Sequence, residues 1–331
     1  MSSPILIIGS NSFSGSNLVK HLLLENNKVI AISRQKEIQN PYNPYSTLAN
    51  NSNFEFHQVD LNTNADKIIK ICKKNNISTI VNFSAQSMVG ESWIYPEQWY
   101  KTNVVALSEL ISLFKINNIK LNKFIHFTTP EVYGNTTGAI KENFSFMPTT
   151  PYAISRAAGD YHLKAMFETT GFPVIFTRAA NVYGEHQSNY RIIPKTFIFG
   201  MTGKKLSLHG GGNSERSFIY IDDVSRSLLK IINNGIIGSS YHISTNEIIK
   251  ISELVSMCCL IMGIEFDDIS KVSEDRAGKD AVYRLDSSRL RDSLGWTDEI
   301  SLDEGLKRTC NWVKQNLDQI LKFPTEYQHR K

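Results

Sequence analysis

Six short runs rich in β-branched and aromatic residues recur along the first 180 residues: PILIIG at 4–9, KVIAIS at 28–33, NFEFHQV at 53–59, STIVNF at 78–83, NKFIHFTT at 122–129 and FPVIFTR at 172–178. Longer stretches with helical spacing of apolar residues separate them. This alternation predicts repeated strand–helix units, and so an α/β fold built on a Rossmann-like, doubly wound parallel sheet covered on both faces. Two intervening segments, roughly 97–117 and 152–170, carry Leu107, Leu110, Ile111 and Phe114 in the first and Tyr161, Ala165 and Met166 in the second. Such residues either pack a helix on the sheet or form a helix-pair seam between two copies of the chain.

The rhythm breaks after about residue 181, where punctuated stretches such as KKLSLHGGGNSERSF take over. Irregular segments of this kind collect over the carboxyl ends of strands, where ligands bind. The expected division is a dinucleotide-binding domain at 1–180 carrying the catalytic residues. A smaller α/β lobe at 181–331 mainly binds substrate and returns some segments to the first domain.

Composition narrows the function classes. The 331 residues are 41% hydrophobic and 21% charged, with a mean hydropathy of −0.24, which is the balance of a soluble globular protein. A formal charge of +4 without basic blocks gives no footprint for nucleic acid. Cys72, Cys258, Cys259 and Cys310 lack metal-site spacing, so no metal is expected and reduced thiols are. No window reaches about 18 apolar residues, and the apolar run in MSSPILIIGS is too short for a secretion signal. The expectation is a cytoplasmic protein without a membrane partner.

IIGSNSFSGSNLVKHLL places Gly9 at a strand end, Ser12 and Gly15 at three-residue steps, and then a helix. Glycine at the first place permits a tight turn and at the last lets helix approach strand. The helix N-terminus offers amides and a positive dipole to a pyrophosphate. Ser12 stands where a middle glycine is usual, and its hydroxyl could itself bond phosphate. The same pattern also suits an ordinary strand–helix turn. Strand two ends in Ser33-Arg34 instead of an acid, a pair suited to a 2′-phosphate, so NADP is favoured over NAD unless Arg34 is only a solvated loop residue. Asp60-Leu61 follows the third strand, where an adenine is met.

Together with this turn, FSAQSMV (83–89), KTN (101–103), TTPEVYG (128–134), PYAISRAAGD (151–160), RAANVYG (178–184), RIIP (191–194), ERSFIYIDDV (215–224), and RAGKD with YRLDSSRLR near 276–291 make the chain resemble the extended short-chain dehydrogenase/reductase family. Within it the likeness is to nucleotide-sugar 4,6-dehydratases of the dTDP-glucose and GDP-mannose types. The resemblance covers nearly the whole chain. It implies a bound NAD(P), hydride transfer from the sugar C4, loss of water across C5–C6 and hydride return to C6. By the same resemblance Tyr152 takes the C4 hydroxyl proton, Thr129 hydrogen-bonds the C4 oxygen and Glu131 removes the C5 proton. Arg156 occupies the place of the family's lysine, four residues after Tyr152 and so on one helix face, where its charge lowers the phenol pKa and holds the nicotinamide ribose.

Pro130 occupies the place of the acid that assists the C6 hydroxyl in dTDP-glucose-type enzymes, and proline has no titratable group. A same-side elimination would let Glu131 take the C5 proton and return it to the leaving hydroxyl. The resemblance further implies cofactor contacts at Gly9, Asn11, Ser12, Phe13, Gly15, Ser33, Arg34, Asp60, Leu61, Ser84, Ala85, Gln86, Tyr152 and Arg156. A nucleotide-diphosphate hexose would meet Gln86, Ser87, Glu131, Asn181, Arg191, Arg216 and Arg276, with Met88 in place of a common histidine. A homodimer through the two central helices is expected. Two rival readings stay open: a C4 epimerase or reductase, or a dehydratase with another double-bond position; and a non-catalytic binder of sugar nucleotide or NADP(H) that regulates a partner.

Overall fold

The computed structural model describes residues 3–48, 52–136, 138–273 and 284–329. Seven parallel strands form one sheet: β1 (Ile5–Ile8), β2 (Val29–Ser33), β3 (Phe54–Gln58), β4 (Thr79–Asn82), β5 (Lys123–Thr128), β6 (Val174–Ala179) and β7 (Ser240–Ile243). Their order is β7-β6-β5-β4-β1-β2-β3. The first six are the predicted runs. The seventh, SYHI, comes from the segment read as the substrate lobe and pairs with β6 from Ser240↔Phe176 to Ile243↔Ala179.

Side-chain alternation sorts the sheet into two cores. Ile5, Ile7, Val29, Ala31 and Val81 face Leu18, Val19 and Leu22 of α1 (Phe13–Leu24). Leu6, Ile8, Ile30, Ile32 and Ile80 face Ile68 and Ile69 of α2 (Ala65–Asn75) and Leu107, Leu110, Ile111 and Phe114 of α3 (Leu107–Ile116). Each fully buried aliphatic side chain contributes about 1.5–3 kcal/mol, so the period-2 pattern fixes which face each helix covers.

The predicted helix at 97–117 is built in three pieces: Pro96–Tyr100, a π-helical stretch Lys101–Ala106, and α3. The second central helix, α4 (Pro151–Thr170), starts at a Thr150 cap that accepts from the Ala153 amide, with Pro151 in the first turn, and ends at left-handed Gly171. Its inward face is Ala153, Ala157 and Leu163. Of the apolar residues expected there only Met166 packs on the core; Tyr161 is 45% exposed and Ala165 is exposed.

Residues beyond β6 supply α5 (Ile192–Thr202), α6 (Ile221–Asn234) and α7 (Leu302–Ile320). Small strand pairs join Asn181–Tyr183 to Phe218–Tyr220 and Leu206–His209 to Ser270–Ser273. α6 carries Val224 and Leu228 onto the α1 face of the sheet. Among the described residues no helix is long and apolar enough to cross a membrane.

Candidate active site

Strand order reverses on either side of β1, and open α/β sheets bind ligands at such a point. There the Gly9–Gly15 turn closes tightly. Gly9 has φ +83°, and a Cβ on it would meet the Ser84 amide nitrogen at 2.7 Å. A Cβ on Gly15 would meet the Gly9 carbonyl at 2.6 Å. Ser12 caps α1: its Oγ accepts from the Gly15 amide and donates to the Gly9 carbonyl at 2.7 Å. The hydroxyl expected to reach a phosphate is thus turned into the loop. The Phe13 and Ser14 amides at the start of α1 have no acceptor in the chain among the described residues, as helix geometry requires of first-turn donors, and both residues line the cleft.

Two adjoining cavities share Asn11, Ser12, Phe13 and Ala85 in their walls. The smaller, about 550 Å³, collects Gly9, Ser33, Arg34, Asp60, Leu61, Ser84 and Gln86. The larger, about 1180 Å³, collects Thr129, Glu131, Tyr152 and Arg156 together with Ser87, Asn181, Arg191 and Arg216. Gly15 lines neither, and Arg276 lies outside the described residues. Residues expected to meet dinucleotide and those expected to meet sugar nucleotide therefore line two adjoining cavities, with Tyr152 and Arg156 on the larger side and Gln86 on the smaller.

Three segments deliver the candidate reacting groups. Thr129 follows β5 and caps a 3₁₀ turn at Pro130–Tyr133, with Pro130 in its first turn, so proline here starts a helix where its missing N–H costs nothing. Glu131 follows on that turn, its amide donating to Thr129 Oγ at 3.3 Å. Tyr152 enters from the first turn of α4 and is hydrogen-bonded by the Thr129 side chain. Burial pushes the Tyr152 phenol above its ordinary pKa and the Glu131 charge adds to this, while Arg156, Thr129 and Arg191 pull it down. Arg156 has the expected sign of effect, and burial outweighs it.

Arg156 is 3% exposed. Its Nη2 donates to the Phe127 carbonyl and approaches His126 Nε2 at 3.4 Å. Its Nε is buried without an acceptor among the described residues. Arg156 as a residue lines the larger cavity, and the free first-turn amides of Phe13 and Ser14 suit a pyrophosphate, so the site fits the expected dinucleotide.

Sequence reasoning missed the groups beneath. Asp160 accepts from Arg178 Nη2 at 2.6 Å, both fully buried, and from Thr128 at 3.2 Å. The Arg178 guanidinium lies over the rings of Tyr133, Phe144 and Phe146. Asn103, in the π-helical stretch, accepts from the Gln86 amide and donates to the Gln86 carbonyl and to Ser155 Oγ. It ties the loop after β4 to the helix that carries Tyr152. KTN was the only signal for it.

A family model for GDP-mannose 4,6 dehydratase matches residues 6–309. The chain belongs to that family. It is 30% identical over 318 residues to a trifunctional UDP-glucose 4,6-dehydratase/UDP-4-keto-6-deoxy-D-glucose 3,5-epimerase/UDP-4-keto-L-rhamnose-reductase of Arabidopsis thaliana, covering 94% of this chain and 47% of that protein. The chain thus spans about half the length of these Arabidopsis relatives. Human dTDP-D-glucose 4,6-dehydratase is 27% identical over 319 residues, covering 94% and 90%. The crystal structure of the Streptomyces venezuelae dTDP-glucose 4,6-dehydratase with NAD bound superposes with a TM-score of 0.88 at 27% identity, over 96% and 98% of the two chains. A Bacillus cereus UDP-glucuronic acid 4-epimerase, also solved with NAD, gives 0.85 at 26%, over 94% and 99%. Dehydratases and an epimerase therefore share this architecture.

Proposed function

We propose that the chain is a NAD-dependent nucleotide-sugar 4,6-dehydratase acting on a uridine or thymidine diphosphoglucose. The observation that carries this reading is the convergence of Tyr152, Thr129 and Glu131 on one cavity with Asn181, Arg191 and Arg216. The printed substrates of the relatives, UDP-glucose and dTDP-glucose, support the substrate class. NAD is preferred to NADP because the solved relatives hold NAD, and none of those structures supports the 2′-phosphate expectation for Ser33-Arg34.

Bound dinucleotide supplies a reversible hydride acceptor, so the net reaction is redox-neutral. Tyr152, with its phenol bonded by Thr129 and drawn down by Arg156, takes the proton of the C4 hydroxyl. The resulting ketone acidifies C5–H, which Glu131 removes. Pro130 offers no second acid, so Glu131 returns its proton to the departing C6 hydroxyl and water leaves. Guanidinium groups of Arg191 and Arg216 hold the diphosphate. Two copies of the chain pair through the exposed faces of the central helices.

Incubation of the holoprotein with UDP-, dTDP-, GDP- and CDP-hexoses tests the reading. A 4-keto-6-deoxy product from the uridine or thymidine substrate, loss of deuterium from C5 and no net NADH are expected. Absence of keto product with all four families rules it out. The missing acid at Pro130 favours one alternative, a C4 epimerase, and Glu131→Gln separates the two: an epimerase tolerates it, whereas a dehydratase loses turnover.

A further inference from the structure

Beyond α7 the chain does not leave the molecule. Residues 321–329 turn back along the wall of the cleft, past the end of the family match at residue 309. The carbonyls of Ile320 and Phe323 accept from Asn189 Nδ2 at 3.0 and 3.3 Å, and the Phe323 ring meets Tyr42 edge-on at 5.0 Å. Glu326 pairs with Lys195 of α5 at 2.6 Å, and Tyr327 packs edge-on against Tyr190 at 5.2 Å. The His329 ring then stacks on Tyr95 and Trp99, at 5.2 and 5.3 Å, and its Nε2 meets Gln98 Oε1 at 2.7 Å. These last partners precede the π-helical stretch, so the segment spans from the substrate side of the cleft to the sheet domain.

We infer that residues 323–329 form a further part of the dinucleotide site, a strap that must lift before bound cofactor can leave. Phe323, Pro324, Glu326, Tyr327 and Gln328 line the same cavity as Gly9, Ser12, Arg34 and Asp60, and Glu326 also lines the sugar-nucleotide side. The Tyr327 ring packs on Tyr190, which lines both cavities. The attachments are a few hydrogen bonds, one ion pair and ring contacts, with no strand or helix to unravel. Such a segment opens without unfolding the core. For a reaction that returns its hydride within each turnover, retention of the cofactor is an advantage. The inference rests on the reading of this cleft as a dinucleotide site.

The test is the release of NADH from the loaded full chain, chased with excess NAD and followed by nicotinamide fluorescence. A chain ending at Ile320 is expected to release NADH at least about tenfold faster, since removing a closing segment acts mainly on dissociation. The double variant Tyr327→Ala/His329→Ala keeps the chain length and is expected to show about threefold faster release. Thermal midpoints of both variants check folding. Release rates within twofold of the full chain for a folded double variant, or slower release from the shortened chain, overturn the strap. Failure of the full chain to bind NADH at all overturns the reading of the cleft instead.

Discussion

At Tyr152 two influences oppose each other: burial and the nearby Glu131 carboxylate hold the phenol protonated, while Arg156, Arg191 and the Thr129 hydrogen bond favour its anion. Removing the Arg156 charge by Arg156→Leu deletes one of the favourable influences, so the phenol pKa rises. The limb of the pH–rate profile that reports Tyr152 ionisation is expected to move to higher pH, with Arg156→Lys restoring it toward the original value. Rates of C4 oxidation measured across pH check this, and an unmoved limb in Arg156→Leu refutes it. Glu131 acts after that step. Glu131→Gln is expected to lower kcat by about 10²–10⁴-fold, the usual worth of a positioned acid–base, while single-turnover oxidation at C4 persists. Loss of both steps together would mean that Glu131 serves binding or folding instead.

The elements that hold these residues are coupled through buried polar groups. His242 of β7 gives its Nδ1 proton to the Asp286 carbonyl and accepts at Nε2 from the Tyr133 hydroxyl at 2.8 Å, so the edge strand of the sheet pins the turn that bears Glu131. Burial, aided by the Arg178 charge, depresses the His242 pKa from 6.5 to about 3. The unfolded chain therefore takes a proton between these values that the native ring refuses. Stability is full above pH about 6.5 and is lost as pH falls toward 3. Between pH 7 and 5 this amounts to about 2 kcal/mol. Denaturant unfolding at the two pH values should show His242→Asn losing less stability on acidification than the parent by about that amount, and equal losses would refute the role. Asn103 links other elements in the same way. Its three hydrogen bonds join the Gln86 loop to α4, and α4 approaches so closely at Gly159 that a Cβ there would meet the Asn103 carbonyl at 2.7 Å. Asn103→Ala removes its hydrogen bonds to the buried Gln86 backbone and to Ser155 and is expected to cost about 1–3 kcal/mol of stability, read by chemical denaturation; a cost below about 0.5 kcal/mol would place the clamp elsewhere.

Over the whole molecule, six strands were legible because each is a run of β-branched and aromatic residues next to a helical pattern. β7 was not, since SYHI lies where the strand–helix alternation has broken down and its partner β6 lies far back in the chain. TTPEVYG and PYAISR pointed to Thr129, Glu131, Tyr152 and Arg156 through the family resemblance, and the fold brings these four to one cavity, whereas Asp160, Arg178 and the strap acquire meaning only when folding brings distant segments together. The central helices carry one more property of this scale. The inward residues Leu110, Phe114 and Leu163 are buried, yet the opposite faces keep Val105 58%, Ile154 42% and Tyr161 45% exposed. These three lie on the π-helical stretch and on α4, which pack together. Apolar side chains grouped in this way favour a second surface of like kind, and a two-fold axis would bring each patch against its own copy. Light scattering on the eluting protein is expected to give twice the mass of the chain. The double variant Val105→Glu/Ile154→Glu sets like charges against each other across the axis and is expected to elute at the mass of a single chain with its fold intact. A parent already monomeric, or a variant still paired, would assign this surface to something other than a second copy.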